Sequence, residues 1–281
     1  MRTLIPTPVD DELALQLLAS NSSLCDPHVS DIYECYEKYK AKSGDPRVLA
    51  PLGLAEPICT ELEGWYRAAR KRDGLQWITT YRAAKGLSHC PLCGNAGPTS
   101  LEHYLPRSSF AEFTVFSWNL IPSCVTCNSK RGRHANGPGT VVPLIHPYFD
   151  GPAYNEALLT ANIEPPYISV TFTPAALGHL KGDVLQRVTK QISTCINEER
   201  FNETLSAKWT LWRGKAVHCA SVDSLRQDIE RELQSTIGPM GKNSWDAAFL
   251  RAVLEDVKAL TWMQQNPVPA SGMRPFGTSS A

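Results

Sequence analysis

Apolar residues recur at intervals of three and four along most of this chain. Asp10-Asp11 opens a run in which Leu13, Leu17 and Leu18 share one helical face. Ile32, Cys35, Tyr36 and Tyr39 repeat the spacing, as do Leu62, Trp65, Tyr66 and Ala69, so the first 60 or so residues and the stretch after them read as helices. Three prolines between Asp45 and Pro57 mark a connector. A short helix is predicted over 76–88, strands over 99–104 and 119–122, and a helix starting at Ser123 or Thr126 that Gly132 and Gly137 end. Phe110, Phe113 and Phe116 would pack down the long loop from Leu105 to Trp118. Farther on, a strand is expected around Ile168–Thr173 and helices over 182–200, 222–236 and 244–264, the last with Ser244 as N-cap. After Pro267 the chain is Pro, Ser, Gly and Ala without period, which predicts a disordered tail.

The predicted strands lie inside a cysteine frame. Cys90 and Cys93 form one CxxC pair, Cys124 and Cys127 a second, with 30 residues between the pairs. Two such pairs supply four thiolates, the closed tetrahedral set of a structural zinc. The enclosed stretch holds Glu102-His103, with Pro106 soon after, and Asn119; Asn128 follows the last cysteine.

That order resembles the HNH nucleases of the ββα-metal class, here with Asn in the final position. The resemblance covers about 45 residues and rests on six spaced positions agreeing together. It implies a hairpin presenting Glu102 and His103 and a helix returning Asn128. By that resemblance His103 would be the general base, Glu102 and Asn128 would hold a catalytic Mg²⁺ or Mn²⁺, and Asn119 would tie the loop so that His103 faces substrate. Many relatives have Asp where Glu102 stands. The zinc, next to Asn128, would fix the helix that carries this ligand, and a hairpin with one short helix has too little core to hold itself without such a clip. The flanks, with a His-Pro-Tyr-Phe-Asp stretch at 146–150 and a late Gly-x-Asn-Ser-Trp segment at 241–245, look similar to bacterial HNH proteins of anti-phage systems, the Septu and retron-associated kinds, in which the nuclease pairs with a separate ATPase.

Charge adds a direction of approach. Net charge is zero, 28 basic against 28 acidic side chains, so the total argues for no polyanion. Distribution does: Arg67, Arg70, Lys71, Arg72, Arg82 and Lys85 precede the motif against Asp73 alone, and Lys130, Arg131, Arg133 and His134 follow it. Arg67, Arg70, Lys71, Lys130 and Arg131 are the candidate nucleic-acid contacts; ordinary solvated helix charges are the other account of all five. His146 and Asp150 lie in a His-Pro-Tyr-Phe-Asp stretch that reads as a packed corner more than as a metal site.

The expected fold is α+β, a mostly helical chain around a small zinc-stapled ββα-metal core. Its expected parts are an N-terminal helical region 1–86, a nuclease core 87–137, a mainly helical region 138–266 and a tail 267–281. The expected function is metal-dependent hydrolysis of nucleic acid, DNA favoured. The alternative is a non-catalytic zinc module that binds nucleic acid, for which Glu102-His103 in this register has no use. A zinc deaminase would place its Glu two residues after a zinc-binding His and use one CxxC pair. Neither feature is present. No signal-peptide core and no apolar run near 18 residues occurs, and the nine cysteines suit a reducing, cytoplasmic setting with no membrane partner.

Overall fold

The computed structural model describes residues 1–6, 8–83, 86–95, 97–131 and 136–268. Lys85, Gly132, Arg133, His134 and the tail from 269 onward lie outside the described residues. The fold is α+β, with helices predominating and two small antiparallel hairpin sheets. The chain divides into two compact units, Met1–Leu158 with Gly178–Ile196, and Leu159–Leu177 with Asn197 onward.

The first unit opens with α1 (Asp11–Ala19), α2 (Val29–Ala41), α3 (Glu56–Arg67) and α4 (Gln76–Ala83). Asp10 caps α1 through its side chain, which accepts from the Leu13 amide at 2.9 Å. The buried face of α1 is Ala14, Leu15, Leu18 and Ala19; of the expected stripe Leu18 is buried, whereas Leu13 and Leu17 are exposed. Asp11 explains the rotation. Its carboxylate accepts from the Ser117 amide at 3.0 Å and the Ser117 hydroxyl at 2.6 Å, which turns residues three, four and seven positions later inward. In α2 the predicted stripe of Ile32, Cys35, Tyr36 and Tyr39 is buried, and in α3 so are Leu62, Trp65 and Tyr66. Gly44, at φ +67°, closes the end of α2 against the Tyr39 ring, where a Cβ would lie 2.8 Å from the ring carbon.

A hairpin follows, β1 (Ser100–His103) against β2 (Leu120–Ser123), with Glu102 opposite Ile121 and His103 opposite Leu120. Its long loop is packed as the aromatic spacing predicts. Phe116 stacks on Tyr36 at 4.1 Å between centroids, and Phe113 meets Tyr39 edge-on at 4.9 Å. Directly after β2 comes α5 (Val125–Arg131), and the unit closes with α6 (Gly151–Tyr154) and α7 (Gly182–Cys195), which packs on α5. The hairpin and α5 together form a ββα arrangement.

The second unit is a hairpin, β3 (Leu159–Glu164) with β4 (Thr171–Ala176), covered by α8 (Glu198–Ala216), α9 (Val222–Met240), α10 (Trp245–Glu255) and α11 (Val257–Gln265). Phe172, Phe201, Trp209, Trp245 and Phe249 form its core. Ser244 caps α10 as expected, accepting from the Ala247 amide at 3.2 Å. Three expectations shift here. The helix read over 182–200 ends at Cys195, because Asn197 caps a new helix through the Arg200 amide at 2.8 Å. The helix read over 244–264 is two, because Asp256 accepts from the Ala259 amide at 2.9 Å and restarts it. The strand near Ile168–Thr173 begins at Thr171, after a 3-10 turn at Tyr167–Ser169. Among the described residues no helix is long and apolar enough to cross a membrane.

Candidate metal centre and cleft

The four CxxC cysteines come together, their sulfurs all within 4.8 Å of one another and all four side chains buried. Cys90 Sγ lies 3.9 Å from Cys127 Sγ, and Cys93 Sγ 3.7 Å from Cys124 Sγ. A tetrahedron with metal–sulfur bonds of ~2.3 Å has edges of about 3.8 Å, so these separations fit a zinc at the centre and are far too long for a disulfide. Backbone amides point at the sulfurs as well: Cys124 N at 3.4 Å from Cys90 Sγ, Cys127 N at 3.4 Å from Cys124 Sγ, and Asn95 N at 3.5 Å from Cys93 Sγ. The hydrogen bond between Cys127 and Cys124 drives the Cys124 thiol far below its ordinary value and that of Cys127 far above it. Four buried thiols this close cannot all ionise by themselves. A divalent cation among them removes the conflict. The donor set is compatible with zinc.

Cys124 and Cys127 bracket the start of α5, and Asn128 is the next residue on it. Thus the cysteine cluster anchors the helix that presents Asn128. Asn128 lines a cleft of about 690 Å³ together with Glu102 and His103 of β1, Arg107 and Thr114 of the long loop, and residues of α3. The ββα arrangement therefore gathers Glu102, His103 and Asn128 at one opening.

His103 is 8% exposed, and its Nε2 lies 2.9 Å from the Thr114 carbonyl. A carbonyl only accepts, so Nε2 carries the hydrogen and Nδ1 keeps its lone pair. Among the described residues no group donates to Nδ1. Burial holds the imidazole down to about 4, despite the Thr114 hydrogen bond, so it is neutral at ordinary pH. The Tyr66 ring meets it edge-on at 4.7 Å between centroids.

Glu102 is equally enclosed, and burial pushes its carboxyl up to about 7 against the pull of Arg131 and Arg107. Arg131 Nη1 stands 3.7 Å from Glu102 Oε1. Arg131 was expected among the phosphate contacts, but its side chain is only 1% exposed and its Nη2 donates to the Tyr104 carbonyl at 3.3 Å. It supports Glu102 from behind instead. Among the described residues its Nε and Nη1 have no hydrogen-bond partner, and the Glu102 carboxyl is the acidic group that faces this buried guanidinium.

Asn119 is fully buried. Its Oδ1 accepts from the Leu105 amide at 2.7 Å, and its Nδ2 donates to the carbonyls of Leu105 and Phe113 at 3.1 and 3.2 Å. A relay continues from it. The Tyr39 hydroxyl donates to Asn119 Oδ1 at 3.2 Å, and His146 Nε2 meets that hydroxyl oxygen at 3.0 Å. The Tyr148 amide donates to His146 Nδ1 at 3.1 Å, which fixes the proton on Nε2. The His-Pro-Tyr-Phe-Asp stretch is thus a packed corner that braces Asn119.

Of the remaining candidates, Arg67, Arg70 and Lys71 are exposed, Arg67 paired with Glu63 at 2.7 Å. Lys130 is exposed, and its Nζ donates to the Ile196 carbonyl. Sequence reasoning passed over Arg107 and the polar face of α3, namely Glu56, Cys59, Thr60 and Glu63, which walls the cleft. The signal was a polar stripe at helical spacing, but nothing in the chain says that it faces β1.

Two known proteins are similar to this chain. Over 62 residues it is 40% identical to protein ea31 of Escherichia phage lambda, a match covering 22% of this chain and 21% of ea31, so about a fifth of that protein is spanned. Over 185 residues it is 24% identical to the Septu protein PtuB of Bacillus thuringiensis, covering 62% of this chain and 68% of PtuB. No protein-family model matches the chain. No solved structure matches it either.

Proposed function

We propose that this protein is a metal-dependent HNH endonuclease that hydrolyses phosphodiester bonds of nucleic acid, with residues 87–137 as its nuclease core and DNA the favoured substrate. The observation that carries this reading is one arrangement: Glu102, His103 and Asn128 line a single cleft, and His103 is held with Nδ1 bare and unprotonated.

Hydrolysis needs a base for the attacking water, and Nδ1 of His103 is suited to accept its proton. The Thr114 carbonyl keeps the ring in that tautomer and orientation, and Asn119 keeps Thr114's loop in place. Glu102 and Asn128 offer oxygen donors only, at a cleft with room for water, and a dication before Glu102 would offset the burial that raises its carboxyl. Such donors suit Mg²⁺ or Mn²⁺. When bound, the ion would neutralise charge that develops on the phosphoryl oxygens and the departing 3′-oxygen. Arg131 holds Glu102 from the protein side, and the cysteine cluster, with its zinc, holds the helix that bears Asn128.

The similarity to PtuB, a Septu protein, supports a place in anti-phage defence, and a separate ATPase is the partner that the resemblance of the flanks to Septu-type proteins implies. His103→Ala is expected to keep fold, zinc and substrate binding while cleavage falls roughly 10²- to 10⁴-fold. Asn128→Ala should lose cleavage and regain part of it at raised Mn²⁺. Full cleavage by pure His103→Ala protein would overturn the mechanism.

A further inference from the structure

The proposed nuclease cleft has an unusual charge balance for a site that receives a phosphodiester. Three acidic side chains line it, Glu56, Glu63 and the buried Glu102, against one guanidinium, that of Arg107. With His103 neutral, Arg107 is the single cationic side chain among the described lining residues. An incoming phosphodiester adds a further negative charge, and beside the cation that Glu102 and Asn128 would hold, Arg107 is the lining side chain that can meet it. Arg131, the other guanidinium near the reacting groups, is 1% exposed and faces the back of Glu102, whereas Arg107 is 39% exposed.

Arg107 is also held in place. Its guanidinium carbon sits 5.6 Å from the centroid of Tyr66, the same ring that packs edge-on against His103. Arg82 lies over that ring too, at 4.8 Å, so Tyr66 is a fixed platform between the base and the guanidinium. Arg107 Nη2 lies 3.2 Å from Glu63 Oε1, and Arg67 Nη2 lies 2.7 Å from the same oxygen. Glu63 therefore keeps a cationic partner if Arg107 leaves it. Arg67, with Arg107, holds the Glu63 carboxyl below its ordinary range, so it stays an anion as substrate approaches.

We infer that Arg107 grips the scissile phosphodiester in the cleft, and that Glu63 occupies its guanidinium until substrate displaces the carboxylate onto Arg67. The planar fork of arginine matches two phosphate oxygens at once, which lysine cannot do. The inference rests on the nuclease reading and adds to it the residue that binds the reacting group.

The bland alternative is a half-exposed ion pair of roughly 0–1 kcal/mol with no part in the reaction. The two accounts differ in sign. If Arg107 and Glu63 only brace one another, removing either has the same small effect. If Glu63 competes with substrate, removing it helps and removing Arg107 harms. The test measures cleavage and binding of short fluorescein-labelled DNA, single-stranded and duplex, by Arg107→Ala, Arg107→Lys and Glu63→Gln. Binding is read by anisotropy in a His103→Ala background, and zinc content reports the fold of each variant. Arg107→Ala should lose about 10²-fold in kcat/KM. Arg107→Lys should recover part of that loss, and it carries the test if Arg107→Ala does not fold. Glu63→Gln should bind more tightly, with a lowered KM and an undiminished kcat. Equal kcat/KM in Arg107→Ala and the unchanged chain overturns the inference and leaves the nuclease reading standing. Weaker binding by Glu63→Gln, in step with Arg107→Ala, overturns it as well. An unchanged chain that cleaves neither DNA, with any divalent ion, overturns both.

Discussion

Two residues outside the reacting set show how single side chains hold this unit together. Burial pushes the Asp11 carboxyl from its ordinary 3.8 up to about 6, against the pull of its hydrogen bonds from Ser117. A carboxyl raised in this way binds its proton more readily in the folded chain than in the unfolded one. Its contribution to stability is therefore complete below 3.8 and is lost as pH rises through about 6. Asp11→Asn removes that dependence. Denaturant melts across the window should show the wild-type advantage over Asp11→Asn shrinking as pH rises, then levelling off; two parallel curves would contradict the assignment. Asn119 is the stronger test of the loop. Its amide meets Leu105 twice, Phe113 and Tyr39, all in the interior, so Asn119→Ala should cost roughly 2–4 kcal/mol in urea unfolding, chiefly by leaving the buried Leu105 amide and carbonyl without their partner. A loss under about half a kcal/mol would mean the loop is held by its phenylalanines alone. The HNH resemblance implied that Asn119 ties the long loop, and its side chain bonds Leu105 and Phe113 of that loop. Arg131 was misread for a plain reason: a basic residue at the end of a short helix reads as surface until Glu102 and Tyr104 are seen to enclose it.

At the scale of elements, α5 joins the metal clip to the cleft within seven residues, Val125–Arg131. The cluster should hold one tightly bound zinc per chain, since four buried thiolates form a closed site. Elemental analysis of fresh protein checks this, and less than about half an equivalent would contradict it. Cys124→Ala should lose that zinc and unfold the ββα arrangement, because structural zinc supplies roughly 10–16 kcal/mol to small modules. His103→Ala should lose none, and this contrast separates clip from chemistry. The hairpin and the helix that carries Asn128 were what the HNH resemblance implied, and the clip was legible because two CxxC pairs supply four thiols. Helix α8 was not. Its buried residues Phe201, Leu205, Trp209 and Trp212 follow helical spacing, but the preceding periodicity runs past Asn197 without a visible stop, and only the cap at that residue separates two helices. Strand β3 was hidden for a different reason. It buries three consecutive residues and then none, so it shows no alternation to read.

Over the whole molecule the balance of 28 basic and 28 acidic side chains means that any affinity for nucleic acid must come from where charge is placed. Arg67, Arg70 and Lys71 stand exposed just beyond the cleft wall formed by α3. If they meet backbone phosphates, replacing all three should weaken binding to every sequence alike. On duplex DNA it should also flatten the slope of log affinity against log salt, by about 0.9 for each phosphate that is no longer neutralised. An unchanged slope would return them to the solvated face of a helix. A more direct test addresses the proposal itself, that the chain cuts nucleic acid, needs a divalent cation and uses His103 as the base. One experiment tests all three. Purified zinc-loaded protein is incubated with supercoiled plasmid, single-stranded DNA and tRNA, with Mg²⁺, with Mn²⁺ or with EDTA, beside His103→Ala prepared in the same way. The expected result is cleavage of at least one substrate with Mg²⁺ or Mn²⁺, none with EDTA, and none by His103→Ala, whose zinc and fold are intact. Cleavage that survives EDTA, or that is equal in the two proteins, would contradict it.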